Sequence, residues 1–143
     1  MANVYDVGEY ILGKTGPISA MKLQKLAYYA KAWHAVWSEA ELYPERTEAW
    51  ANGPVAPSLY AKHRGDFTVR GGQFGGDPAK LSEDEADTVN RVLAAYGDKP
   101  SQWLSDLTHM ETPWLQARKG IPAGERCDRE ITLASMAEYY GAL

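Results

Sequence analysis

The most apolar helical pattern in the chain runs from Leu23 to Trp37, shortly after Ser19, a residue type suited to a helix N-cap. Apolar residues recur there in alternating steps of three and four, which is the spacing of one helical face. Tyrosine, alanine and valine side chains widen that face over most of the circumference. A helix that is apolar nearly all round lies at the centre of a fold or beneath a partner. We therefore expect it to be the core helix.

Shorter amphipathic segments predict further helices on both sides of the core helix. Asn3 suits the N-cap of a first helix that reaches about Leu12 and ends at Gly13. Ser82 and Glu85 have the spacing of a capping box, and the helix that they begin ends at Gly97. The other predicted helices run from Pro57 or Ser58 to about Arg64, from Pro100 or Ser101 to Thr108 with Trp103 facing inward, from Thr112 as N-cap to Gly120, and onward from Thr132.

The segments between the helices carry weaker signals. Residues 47–50 fit either a short strand or one irregular turn. Two prolines within residues 52–57 cannot continue a helix and predict a stiff, preshaped loop. Residues 65–78 contain five glycines and little periodicity, which predicts a flexible surface loop with a short strand near residues 67–70. A phosphate-binding loop requires a strand before its glycines and a helix after them, and neither Gly71-Gly72 nor Gly75-Gly76 has this setting.

These elements predict a mostly α protein, a compact bundle of six to seven short helices with at most a small β-hairpin. The chain has 143 residues, which is a usual length for one domain and long enough to bury a hydrophobic core. No internal repeat or linker divides it, so we expect a single domain over residues 1–143.

Composition narrows the class of protein. Hydrophobic residues make up 45% and charged residues 24%, which excludes a disordered chain. A net charge of −4 argues against direct binding to nucleic acid, for which a basic surface is typical. Cys127 is the only cysteine, so no intramolecular disulfide forms, as expected in a reducing compartment. No signal peptide or membrane-spanning stretch is present, and we expect a cytoplasmic protein without membrane contact.

Residues with catalytic or metal-binding potential are scattered. His34, His63 and His109 lie far apart and there is no cysteine pair, so no metal site or cofactor is expected. No nucleophile motif is present, which favours a protein without enzymatic activity. The remaining enzymatic alternative is a small hydrolase or metal enzyme that uses His109, Glu111 and His34.

Two lysines near the start of the core helix have two interpretations. Lys22 and Lys25 oppose the helix dipole, and the favoured interpretation is a solvated face that tolerates this small penalty. The alternative is that Lys22, Gln24 and Lys25 meet an anionic group on a partner.

Two further clusters are open to a structural or a binding role. Trp50 with residues 53–55 is either core packing beside a turn, or a rigid aromatic platform for a partner. His109 and Trp114 flank a tight corner between helices, where a structural role is favoured. His109 would then satisfy a free carbonyl group or a helix end, and Trp114 would fill the core.

Several motifs in fixed order resemble one known family. They are Leu23-Gln24-Lys25-Leu26-Ala27-Tyr28-Tyr29-Ala30, then Ala49-Trp50-Ala51-Asn52-Gly53-Pro54-Val55 followed by Pro57 and Tyr60, then Thr108-His109 ahead of Pro113-Trp114, and finally Tyr139-Tyr140. Over nearly the whole chain, this order resembles the Panacea domain, also called the SocA-like antitoxin domain, which occurs in many phages and prophages.

The resemblance implies the antitoxin of a type II toxin–antitoxin system, which neutralises a cognate protein toxin by direct binding. Toxins of the family differ, and some are similar to small alarmone synthetases that modify tRNA. The SocA member implies an alternative, an adaptor that delivers the toxin to a cytosolic protease. The candidate toxin-binding or motif residues are Lys22, Leu23, Gln24, Lys25, Trp50, Asn52, Gly53, Pro54, Val55, His109, Pro113 and Trp114. The resemblance leaves open which of them contact toxin and which hold the fold.

Overall fold

The computed structural model describes all of residues 1–143 and has seven α-helices, one 3₁₀ turn and two small sheets. The helices are α1 (Val4–Thr15), α2 (Ala20–Trp37), α3 (Pro57–Tyr60), α4 (Glu83–Tyr96), α5 (Ser101–His109), α6 (Thr112–Ala117) and α7 (Leu133–Gly141). The strands are β1 (Ile18–Ser19), β2 (Thr47–Trp50), β3 (Gly53–Val55), β4 (Thr68–Val69) and β5 (Glu130–Ile131), and the 3₁₀ turn is Pro78–Lys80. The prediction of a mostly α fold with a small hairpin is confirmed.

Helix α2 is the central element, as its apolar circumference predicts. It packs against α1, α4, α5, α7 and strand β3. Nearly every residue from Leu23 to Ala35 is buried. Ser19 caps its start, with Oγ accepting a hydrogen bond from the backbone N–H of Lys22 at 3.1 Å. None of the helices combines the length and the apolar character that crossing a lipid bilayer requires.

The two sheets are antiparallel and small. One pairs β1 with β4, and the other has the order β3-β2-β5. Residues 47–50 form a strand, one of the two alternatives from the sequence. Residues 53–55 were predicted to belong to a loop and instead pair with β2, with Gly53 opposite Trp50. Proline is tolerated in β3 because this strand lies at the edge of its sheet, where a missing N–H breaks no ladder.

Most helix starts follow the sequence, whereas the predicted end of the first helix is wrong. Asn3 forms a capping box with Asp6, and Ser82 forms one with Glu85. The first helix does not stop at Gly13 but continues through it to Thr15. It ends at Gly16, which has φ +72° and donates its N–H to Leu12 O at 2.8 Å. The positive φ of Gly16 takes the backbone out of the helical conformation, whereas Gly13 keeps it.

Three details of the shorter helices also differ from expectation. Helix α3 ends at Tyr60 and continues as turns, without reaching Arg64. Helix α6 starts at Thr112, so the N-cap is Glu111. Trp103 does not face inward and is 44% exposed, because Leu104 and Thr108 form the buried face of α5.

The glycine-rich segment 65–78, predicted to be a flexible loop, is bound to α1. The two carboxylate oxygens of Glu9 accept hydrogen bonds from the backbone N–H groups of Gly72 (2.7 Å) and Phe74 (2.8 Å). The Phe74 ring is buried in the core. A Cβ atom at Gly76 would lie 2.3 Å from the backbone of α1, so only glycine fits there. The segment is therefore held closely along the first helix.

Candidate functional site

The three motif segments converge on the hairpin formed by β2, β3 and the turn between them, called here the β2–β3 hairpin (residues 47–55). Helix α2 lies against β3 on one side. Helix α5 and the region of α6 supply side chains on the other. The structure thus gathers residues that are up to about ninety positions apart in sequence around one short hairpin.

Side chains from α5, α6 and the residue after α6 bind four successive carbonyl groups of the hairpin. These four side chains are called here the carbonyl clamp. Their contacts are Arg118 Nη1 to Ala49 O (3.0 Å), Trp114 Nε1 to Trp50 O (2.8 Å), His109 Nε2 to Ala51 O (3.0 Å) and Ser105 Oγ to Asn52 O (2.7 Å). Strand β5 covers only the first part of β2, and the clamp supplies hydrogen-bond donors to the carbonyl groups beyond it.

His109 and Trp114 form the centre of the clamp, which agrees with their predicted structural role. The His109 ring contacts the carbonyl groups of both Ala51 and Ser105 through its two nitrogens. Its centroid lies 4.1 Å from that of the Trp114 ring. The tight corner between α5 and α6 therefore fixes the hairpin turn through backbone atoms.

On the opposite side, Gln24 binds the chain just beyond β3. Its Oε1 accepts from the backbone N–H of Ala56 at 2.9 Å, and its Nε2 donates to the carbonyl of the same residue at 3.3 Å. The buried amide thus makes the two backbone hydrogen bonds that a neighbouring strand would otherwise make. Its Nε2 also lies 2.9 Å from His63 Nε2, which must accept there. Burial lowers the pKa of His63, which suits a neutral ring in that contact.

Lys25 lies beneath the hairpin and is completely buried, so the predicted solvated face is wrong for this residue. Its Nζ atom has no hydrogen-bond partner. Desolvation by burial lowers the pKa of the amine to about 7. Gly53 passes so close that a Cβ atom there would lie 2.6 Å from Lys25 Cε, and its φ of +117° also favours glycine.

Most of the predicted site residues are therefore inside the protein. Leu23, Gln24, Lys25, Gly53, Pro54, Val55, Pro113 and Trp114 are buried, Lys22, Trp50 and His109 are partly buried, and Asn52 is exposed. The hairpin is held in place by these side chains, and only a minority of them reaches solvent.

The accessible part of the site is a groove around the first turn of α2, called here the Met21 groove. Three adjoining cavities of about 760, 320 and 330 Å³ all have Met21 in their wall. Neighbouring cavities also share Tyr60, Asn52 or Ser101. Trp50 and Tyr60 pack edge to face in the wall of the largest cavity, with centroids 4.8 Å apart. The hairpin thus forms one side of an open, partly aromatic groove.

Sequence reasoning missed four residues of this site. Ser105 and Arg118 belong to the clamp, and Met21 and Phe67 line the groove. Ser105 precedes His109 by four positions, and Trp114 precedes Arg118 by four, a spacing that places each pair on one side of its turn. That spacing was a usable signal, whereas nothing local marks Met21 or Phe67.

A second buried polar cluster lies behind the clamp. Glu111 Oε1 accepts hydrogen bonds from Tyr29 Oη (2.7 Å) and Tyr140 Oη (2.8 Å), and Tyr28 Oη lies 3.0 Å from Tyr140 Oη. Burial raises the pKa of the Glu111 carboxyl. This cluster, called here the tyrosine–Glu111 cluster, joins α2 to α7 at the start of α6.

The residues named for a hydrolase or metal enzyme do not share a site. Glu111 binds tyrosines, His109 binds backbone carbonyl groups, and His34 Nδ1 contacts Thr88 Oγ1 at 2.7 Å. No three histidine, cysteine or acidic side chains lie close enough together to hold a metal ion.

Comparison with models of known protein families gives a match. The family model described as Antitoxin SocA-like, Panacea domain, matches residues 23–115, which include most of α2, the β2–β3 hairpin and three of the four members of the clamp. No curated protein matches the chain. No solved structure matches it either. The family model spans well over half of the sequence, and the chain belongs to the SocA-like antitoxin family of Panacea-domain proteins.

Proposed function

We propose that residues 1–143 act as one domain, the antitoxin of a type II pair, which neutralises a cognate protein toxin by direct contact in the cytoplasm. Membership of the antitoxin family carries this proposal. The role requires binding and no chemistry of its own, so it needs neither a cofactor nor a metal ion.

The rigid hairpin supports a binding role. Its carbonyl groups are held by the clamp on one side, and Gln24 fixes the following backbone on the other. A surface that is already ordered loses little conformational entropy when a partner binds, so each contact contributes more to affinity. Trp50 and Asn52 project from this fixed frame into the Met21 groove.

The charge of the chain favours a basic partner. The net charge is −4, and electrostatic complementarity speeds the association of oppositely charged proteins. Toxins that handle tRNA need basic surfaces to hold the phosphate backbone. A small toxin similar to the tRNA-modifying alarmone synthetases therefore fits the proposal.

The decisive experiment uses the product of the adjacent open reading frame. That protein is expressed alone and together with this chain, and growth is followed. We expect arrest in the first case, recovery in the second, and a stable complex of the two purified proteins by size-exclusion chromatography. Continued arrest during coexpression, with no complex, would contradict the proposal.

The same cells separate masking from the adaptor alternative. If the chain masks the toxin, the toxin accumulates in the complex and its half-life is unchanged or longer. If the chain is a proteolytic adaptor, the half-life of the toxin falls when the chain is present and recovers in cells that lack the protease.

A further inference from the structure

Phe67 is the most exposed aromatic side chain of the protein, although its backbone is fixed. The side chain is 83% exposed and lies in the wall of one cavity of the Met21 groove. Its carbonyl accepts a hydrogen bond from Ala20 N at 2.7 Å, at the first residue of α2. The next two residues pair with β1, and Val69 is completely buried. An aromatic ring is thus held in solvent by a segment that cannot easily turn it inward.

This arrangement has the properties of an interface anchor. Large aromatic side chains contribute most to affinity when a partner buries them completely at the centre of an interface. The ring stands beside Met21 and Tyr60, so apolar surface continues from the ring into the groove. A partner side chain inserted there would remove both surfaces from water at once.

The charged side chains of the groove indicate which side chains a partner would present to it. Its walls carry four carboxylates, Glu48, Asp66, Asp106 and Asp128, and two guanidinium groups, Arg64 and Arg126. The two smaller cavities each contain one aspartate and no lysine or arginine. A segment that carries a cationic side chain next to an apolar one therefore complements the groove at the Phe67 end.

We propose that the Met21 groove is the toxin-docking surface, where Phe67 anchors a toxin segment that presents an apolar side chain flanked by a lysine or arginine. This inference rests on the proposed antitoxin function and specifies the surface and the partner chemistry. It assigns the main contact to residues outside the buried motifs, which position the hairpin wall of the same groove.

The test compares matched variants in binding to the adjacent gene product. Phe67→Ala removes the anchor, and Met110→Ala removes a side chain that is 70% exposed and lines none of the three cavities. We expect Phe67→Ala to weaken binding roughly tenfold or more and to reduce growth rescue. Met110→Ala should bind within about twofold of the wild type. Unchanged urea denaturation of both variants shows that the effect is not a loss of folding.

A double variant and a control variant test the electrostatic contribution of the groove to toxin binding. Asp66→Asn with Asp106→Asn should lower the affinity by up to about fivefold and reduce its dependence on salt. Asp98→Asn, an exposed change outside the groove, should have no effect. Wild-type binding that survives Phe67→Ala and the double variant unchanged would overturn the groove assignment while leaving the antitoxin function intact. A wild-type chain that neither binds nor rescues growth would overturn the antitoxin function, and the groove assignment with it.

Discussion

Glu111 and Lys25 are two buried ionisable groups, and their surroundings differ completely. Glu111 is 6% exposed and its carboxylate accepts two tyrosine hydroxyl groups. Lys25 is 0% exposed and its ammonium group has no partner. Both groups are buried, but only Glu111 regains the hydrogen bonds that it loses on leaving water.

The difference indicates what each region does for the protein. A buried polar network in which every member is satisfied rigidifies a core, whereas an unpaired buried charge lowers stability. The tyrosine–Glu111 cluster therefore stabilises the packing of α7 on α2. Lys25 fills the space beneath Gly53 at a cost in stability, and its amine contributes nothing to the core through hydrogen bonds.

Removal of the paired group should have the largest effect. Glu111→Ala leaves two buried hydroxyl groups without their acceptor, and we expect the free energy of unfolding to fall by about 3 kcal/mol or more. Urea denaturation measures this change. Glu138→Ala, an exposed substitution on α7, is the control and should shift it by less than about 0.5 kcal/mol. Equal losses in the two variants would show that the tyrosine–Glu111 cluster does not stabilise the fold.

Removal of the unpaired group should have the opposite sign. Lys25→Met keeps a long apolar side chain beneath Gly53 and removes the buried amine, and we expect a gain of about 2 kcal/mol at pH 7. Lys22 lies three residues earlier on the same helix and is only partly buried. Lys22→Met should therefore change the free energy of unfolding much less. A loss of stability in Lys25→Met would mean that the ammonium group has a favourable interaction that its geometry does not reveal.

The two groups should also give opposite pH dependence. Burial raises the pKa of Glu111 above its usual 4.5, so stability falls as the pH rises from there through the folded-state value. Burial lowers the pKa of Lys25 from 10.5 to about 7, so the unfolded chain holds that proton more tightly and stability rises from pH 7 upward. Between pH 7 and 9, the stability gap between Lys25→Met and the wild type should narrow by up to about 1 kcal/mol per pH unit. A constant gap would show that Lys25 keeps its charge in the folded protein.

The smallest effect on stability is expected for a hydrogen bond between neutral groups that is partly exposed to solvent. Ser105→Ala removes the clamp contact to Asn52 O, which water can replace, and we expect a loss of about 0.5 kcal/mol. The change should appear locally, as faster amide hydrogen exchange at Gly53 with little change elsewhere. Uniformly faster exchange would indicate that the clamp supports the whole fold and not the hairpin alone.

Local sequence signals predicted the helix starts, and long-range contacts explain the errors. Asn3, Ser82 and Thr132 cap helices because their side chains reach N–H groups only three residues away. Lys25 was expected in solvent because nothing nearby in sequence reveals that Gly53 passes over it. The glycine-rich segment was expected to be flexible because Glu9, which binds it, lies more than sixty residues earlier.

The candidate site was predicted in part for the same reason. The motifs identified Trp50, His109 and Trp114, which do meet at the β2–β3 hairpin. Their roles were left open because a motif does not distinguish a side chain that binds a partner from one that binds its own backbone. Phe67 belongs to no motif, and only its exposure beside the fixed strand β4 distinguishes it.

The carbonyl clamp has a consequence for protein engineering. Each of its four side chains binds a main-chain oxygen, an atom that every amino acid supplies. Residues with outward side chains, such as Asn52, can therefore be randomised without removing the bonds that hold the turn. The hairpin combines a fixed backbone with interchangeable surface chemistry, which makes it a starting point for libraries selected against new targets.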